Sequence, residues 1–161
     1  MAGASTWALD ESDFNKINAT LGMLLQESSA RCALLVDKAG QLLVNAGEDL
    51  AFDPTSFASL TAADFSANDQ LAQMIGEKEF ASLFHQGEKE SMYLADVARK
   101  VILVVLFDQR TTVGMVRLKV KQTVVDLTKI FDDMFARLEA GGGQEGGLLA
   151  GADDEIDSLF D

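Results

Sequence analysis

The sequence predicts an α+β domain in which helices flank one mostly antiparallel sheet of five strands. Three observations carry this. The apolar period changes segment by segment, in the order helix, strand, strand, helix, strand, strand, strand, helix. Only the connection across the second helix needs a crossover, so neighbouring strands pair as hairpins. Finally, a chain of 161 residues, 48% hydrophobic and 24% charged, can bury one core and is too short for two catalytic domains.

The first helix runs from Asp10 to about Ser28, with Phe14, Ile17, Leu21, Leu24 and Leu25 at steps of three and four. Asp10 suits the N-cap, and Leu9 and Phe14 suit a hydrophobic staple. Cys32 to Val36 and Leu42 to Val44 form a hairpin through the turn Asp37-Lys38-Ala39-Gly40. After Pro54, a first-turn residue, the helical period returns from Thr55 to Ile75. A wheel places Phe57, Leu60, Ala67, Leu71 and Ile75 on one side, expected to pack on the sheet. The opposite side gathers Ser59, Ala62, Ser66, Gln70 and Gln73, with no Lys, Arg or Glu among them. A solvated face is normally rich in charge, so this strip is expected to be a contact surface, with Phe65 and Ala72 between the two sides placed to meet a partner helix.

Leu83 to Val97 alternates unevenly and is expected to form one bent strand. Val101 to Phe107, rich in β-branched residues, reads as a central strand buried on both faces. Val113 to Val120 is expected to follow as the closing strand, after the polar turn Asp108 to Thr112. A last helix from Thr123 to Glu139 carries Val124, Leu127, Ile130, Phe131, Met134 and Leu138 as a broad stripe. The predicted domain spans 1–140. Six glycines within 141–151 predict a flexible linker over 141–152, and 153–161 form an acidic amphipathic tail. There Ile156, Leu159 and Phe160 make one apolar edge among acids, a pattern suited to docking in a groove with a basic rim or, equally, to a solvated acidic end.

Charge and composition exclude several function classes. The net charge of −13 divides into −7 for the body and −6 for residues 141–161, which hold no Lys or Arg. With no basic stripe, no nucleic-acid partner is expected. The longest apolar run, Val101 to Phe107, is too short to span a bilayer, and no signal stretch opens the chain, so a cytoplasmic protein without membrane insertion is expected. One cysteine, Cys32, and one histidine, His85, allow neither an internal disulfide nor zinc-ligand spacing. Phosphate-loop, dinucleotide-fingerprint and nucleophile-elbow motifs are all missing, so neither a cofactor nor a catalytic residue is expected. Cys32 reads as a small buried hydrophobe, His85 as structural or superficial, and Asp132 and Asp133 as solvated.

The segment VILVVLFDQRTTVGMVRLKV (101–120) resembles the Roadblock/LC7 signature of a hydrophobic strand, an Asp-led turn and Val-Gly-x-Val-Arg. LLVDKAGQLLVNAG resembles the first two strands of that family, and SFASLTAADF the start of its central helix. FNKIN, FHQGEKESMY and the ending DDEIDSLF are similar to its bacterial branch. The resemblance implies a five-stranded antiparallel sheet with one central helix on one face and the terminal helices on the other. It further implies a homodimer through the central helix and third strand, which places Phe65, Ala72 and Tyr93 at the dimer interface. The implied partner is a small Ras-like GTPase in its GTP state, bound at Ser59, Ala62, Ser66, Gln70 and Gln73, whose hydrolysis the homodimer stimulates in cell polarity and motility by reorganising the GTPase's own catalytic groups. Arg110 is the only loop arginine that could act as a donated finger. Two other classes fit less closely: a Roadblock scaffold that assembles partners without stimulating hydrolysis, and a small-ligand sensor, which would need polar groups converging on an internal pocket.

Overall fold

In the computed structural model, backbone is described for residues 9–160 and side chains for 9–140. α1 (Glu11–Ser28) opens where the Asp10 carboxylate accepts the Asp13 N–H at 2.7 Å, and it closes at Ser29, whose φ is 59°. β1 (Cys32–Asp37) and β2 (Leu42–Gly47) are joined by a turn in which Asp37 Oδ1 accepts the N–H groups of Ala39 and Gln41. α2 (Pro54–Met74) begins at Asp53, which accepts the Ser56 N–H, with Pro54 in the first turn where a missing donor costs nothing. β3 (Ser82–Gln86), β4 (Ser91–Val97), β5 (Val101–Phe107) and α3 (Val113–Phe160) complete the chain.

The five strands lie in the order β2-β1-β5-β4-β3, every pair antiparallel. β1 is buried at all six positions and β5 at six of its seven, as the central place of both strands requires. One sheet face presents Cys32, Leu34, Val36, Leu94, Ile102 and Val104 to Ala58 and Phe65 of α2. The other face presents Ala33, Leu35, Ala95, Leu103 and Val105 to Ile17 and Leu21 of α1 and to Val116, Leu127 and Phe131 of α3. The layers are therefore one central helix, the sheet, and the two terminal helices. Arg137 of α3 pairs with Asp10 and with the buried Asp13, fastening the start of α1 to the last packed turns of α3. Cys32 is enclosed in the core, and burial pushes its thiol up to about 11.

Three expectations are corrected. The bent strand over Leu83 to Val97 is a hairpin, β3 and β4, turned through Gly87 to Glu90. Gly87 donates its N–H to the Glu90 carbonyl at 3.0 Å, and a Cβ on Gly87 would lie 2.3 Å from that same oxygen. Val113 to Val120 is not a strand but the start of α3, ten residues earlier than expected. Thr112 accepts the Met115 N–H at 3.2 Å, a cap that satisfies a free first-turn donor. Val116, Val120, Leu127, Phe131 and Met134 then form one continuous helical stripe.

The third correction is the roll of α2. Ala58, Thr61, Ala62, Phe65, Asn68 and Ala72 face the sheet. Small alanines let the helix settle closely, with Phe65 as the single large plug. Leu60, Leu71 and Ile75, expected to be inward, are 70%, 58% and 71% exposed, Ala67 is exposed as well, and Phe57 is half-buried. The backbone of α3 stays helical across 141–151, where composition predicts a linker. The expected docking side chains Ile156, Leu159 and Phe160 lie outside the described residues.

Candidate functional site

The exposed surface of α2 divides into two flanks. Asp64 fixes their orientation, because its carboxylate lies 2.6 Å from His85 Nε2 on β3. Leu60 and Leu71 are one and two helical turns from Asp64, so the apolar flank of Leu60, Leu71 and Ile75 borders β3. β3 pairs only with β4, so its outer row of N–H and C=O groups is unpaired. On the other flank, Ser59 lies against the β1–β2 turn, where its Cα is 3.1 Å from the position of a Cβ built on Gly40. Ser66, Gln70 and Gln73 continue that flank along the helix, all exposed and uncharged, while Ala62 is 8% exposed at its inner margin.

Of the residues expected to bind a partner, Ser59, Ser66, Gln70 and Gln73 therefore share one open strip, and Ala62 lies buried at its inner margin. The residues expected at a dimer interface are all turned inward in the protomer. Phe65 is 1% exposed, beneath the Lys38 ammonium at 4.5 Å, and Ala72 is fully buried. Tyr93, 5% exposed, belongs to the core on the opposite sheet face. All three are enclosed by their own protomer. Leu60, Leu71 and Ile75, which the wheel sets inward, occupy the free flank instead, and Met74 is exposed beside them. The signal for them is a helix with apolar residues on two sides.

Arg110, whose side chain is 55% exposed, is engaged by its own end of the sheet. Its Nε donates to both oxygens of Asp108, at 3.0 and 3.1 Å, and Nη2 donates to Glu48 Oε1 at 3.1 Å. These bonds, Asp108 first and Glu48 second, raise the guanidinium above its ordinary value. Glu48 also accepts from Arg31 at 2.7 Å, and Arg31 reaches Glu90 at 2.6 Å. The arginines at this end of the sheet tie loops together. Among the described residues no helix is long and apolar enough to cross a membrane.

Comparison with known proteins places this geometry. A solved structure of Myxococcus xanthus MglB is 47% identical, with a TM-score of 0.73, covering 77% of this chain and 99% of that one. The gliding protein MglB of Thermus thermophilus is 29% identical, with a TM-score of 0.72, covering 78% of this chain and 95% of that one. An MglB described in a tetrameric arrangement is 28% identical, with a TM-score of 0.74, covering 78% and 94%. The Roadblock/LC7 domain profile matches residues 16–107, from within α1 to the end of β5, and the chain belongs to the Roadblock/LC7 family.

Proposed function

We propose that this protein is a non-enzymatic, cytoplasmic regulator of a small Ras-like GTPase of the MglA type, acting as a homodimer in bacterial cell polarity and motility. The observation that carries the reading is the pair of flanks on α2. The apolar flank and the adjoining β3 edge serve the homodimer, since joining two edges across a two-fold axis removes an unpaired strand and buries Leu60, Leu71 and Ile75. The strip of Ser59, Ser66, Gln70 and Gln73 serves the GTPase: short uncharged side chains allow a second protein to approach the helix closely. The 47% identity to MglB over nearly all of that chain supports the same assignment.

The dimer binds the GTP state in preference and shifts the GTPase toward its hydrolytic arrangement, using the partner's own catalytic groups. A donated arginine finger is worth about 10³ to 10⁵ in rate in other GTPases. The doubly paired Arg110 is poorly placed for that part, and the domain supplies binding energy instead. The test is single-turnover GTP hydrolysis by the GTPase with the parent protein, Ser66→Arg, Gln70→Arg and Arg110→Ala. Stimulation lost with either α2 substitution and kept with Arg110→Ala supports the reading. The reverse pattern moves the site to the β5–α3 loop, and binding without stimulation by the parent makes the protein a scaffold.

A further inference from the structure

The first half of α3 departs in charge from the rest of the chain. Residues 113–131 hold Arg117, Lys119, Lys121 and Lys129 against one acid, Asp126, in a protein of net charge −13. Lys119 pairs with Glu27 at 3.6 Å. Arg117, Lys121 and Lys129 are exposed and make no ion pair among the described residues. Beside them on the outward side stand Met115, Leu118 and Val125, exposed by 41%, 61% and 49%. Their spacing of three and seven residues sets them in one stripe. Met23 of α1, also exposed, continues the apolar surface across a shallow groove whose polar lining is Thr20, Glu27, Lys119, Gln122, Thr123 and Asp126, the two acids lying on the side away from Arg117 and Lys121. This apolar stripe with a cationic margin lies on the layer opposite α2, away from the proposed dimer and GTPase surfaces.

The occupant follows from charge. A second copy of the same stripe would set cation against cation, whereas residues 141–161 carry six acids and no base, with Ile156, Leu159 and Phe160 at helical spacing among them. The same chain cannot deliver this end while α3 stays helical to Phe160. Val125 and Ile156 are then about 46 Å apart along one helix at about 1.5 Å per residue. We propose that the acidic end 153–161 of a second copy docks on the outer face of α3, reciprocally, as a short amphipathic helix on Met115, Leu118 and Val125 with Arg117, Lys121 and Lys129 facing its carboxylates. The contact adds a self-association surface to the domain, weakened by salt because its cations are exposed.

Charge exchange within the full chain tests it. Five proteins are compared by light scattering at low and high salt: the parent, Arg117→Glu with Lys121→Glu, Asp154→Lys with Glu155→Lys, all four substitutions together, and Leu159→Ser with Phe160→Ser. Thermal melting checks that each is folded. The expected result is a parent mass at low salt at least twice that of each two-site variant. The four-site chain should regain the parent mass, because both partners of the contact are reversed together, and high salt should bring the parent down to the variants. Equal masses for all five overturn the proposal, as they would if the end docked within its own chain or only on another protein. A loss in the tail variants alone overturns α3 as the acceptor, and failure of the four-site chain to recover overturns the pairing of these charges.

Discussion

Replacing Phe65 by alanine tests the roll of α2 most directly. The ring is 1% exposed, wedged between α2 and the β1, β4 and β5 side chains Leu34, Leu94 and Val104, with Lys38 over its face at 4.5 Å. Truncating such a phenylalanine removes its transfer energy and leaves a cavity, together about 3–5 kcal/mol. Loss of the ammonium contact adds about 0.5–1 kcal/mol at most. Against a typical stability of about 5–15 kcal/mol this is a large fraction, equivalent to a fall in Tm of roughly 6–20 °C for a domain of this size. Leu71→Ala, on the exposed flank, should cost the protomer within about 0.5 kcal/mol. Association enters any unfolding measurement on a dimer, so both variants are unfolded in urea over a wide range of protein concentration. The Phe65 deficit should persist at every concentration, and any Leu71 deficit should fade on dilution. A Phe65 cost below about 1 kcal/mol together with a Leu71 cost above about 3 kcal/mol at the highest dilution would falsify the observed roll and restore the orientation expected from the wheel.

Two further outcomes follow from local chemistry. Gly47 has φ of +102°, and a Cβ there would lie 2.4 Å from the Arg31 carbonyl oxygen and 2.8 Å from Cys32 Cα. Gly47→Ala should therefore lower stability by at least about 1–3 kcal/mol, seen as a reduced urea midpoint, while Gly22→Ala, open on all sides in α1, should be neutral or stabilising. On the acid side, Asp108 and Glu48 are held below their ordinary values by the Arg110 and Arg31 side chains respectively, and Asp10 by the Asp13 N–H. Because these folded values are depressed, their contribution is complete above the ordinary carboxylate range and is lost as pH falls from that range through the depressed folded values. Melting temperature should drop below about pH 4.5, the ordinary glutamate value, and Arg110→Ala should flatten that drop. An unchanged acid limb in Arg110→Ala would show that the pairing contributes nothing measurable.

Much of the fold is legible in the sequence because local signals and tertiary packing agree. Asp10 caps α1 as its position predicts, the Asp37 turn closes the expected hairpin, and Val101 to Phe107 fills the sheet centre. Disagreement arises where two periods overlap. VGMVRLKV carries β-branched residues suited to a strand, yet Val116 and Val120 are also four apart, and they continue into the stripe of Leu127 and Phe131. The Thr112 cap decides between the two patterns. In α2 the difference is one of size. Ranking the sides by apolar bulk selects Leu60, Leu71 and Ile75, whereas close approach to the sheet selects Ala58, Ala62 and Ala72 around one phenylalanine. The candidate strip of Ser59, Ser66, Gln70 and Gln73 stays on the surface because it lies opposite the buried side in the expected roll and beside it in the observed one. Phe65, Ala72 and Tyr93, by contrast, are enclosed within the protomer core.

The strand order also dictates when the sheet can close. β1–β2, β3–β4 and β4–β5 are local hairpins, but β1 meets β5 across a long interval, with Leu34 opposite Val104. At a translation speed of about 5–20 residues per second, those roughly seventy residues leave the apolar edge of β1 waiting for roughly 4–14 s on a growing chain. α2 is made during that wait and can shield only one face of the strand. The β1–β5 seam should thus close last, when two preassembled hairpin units zip together. Leu34→Ala, on the β1 side of the seam, should mainly accelerate unfolding, whereas Val97→Ala, within the β4–β5 hairpin, should slow folding. Stopped-flow folding and unfolding rates of these two variants separate the two limbs, and a Leu34→Ala chain that slows folding more than Val97→Ala would reverse the order.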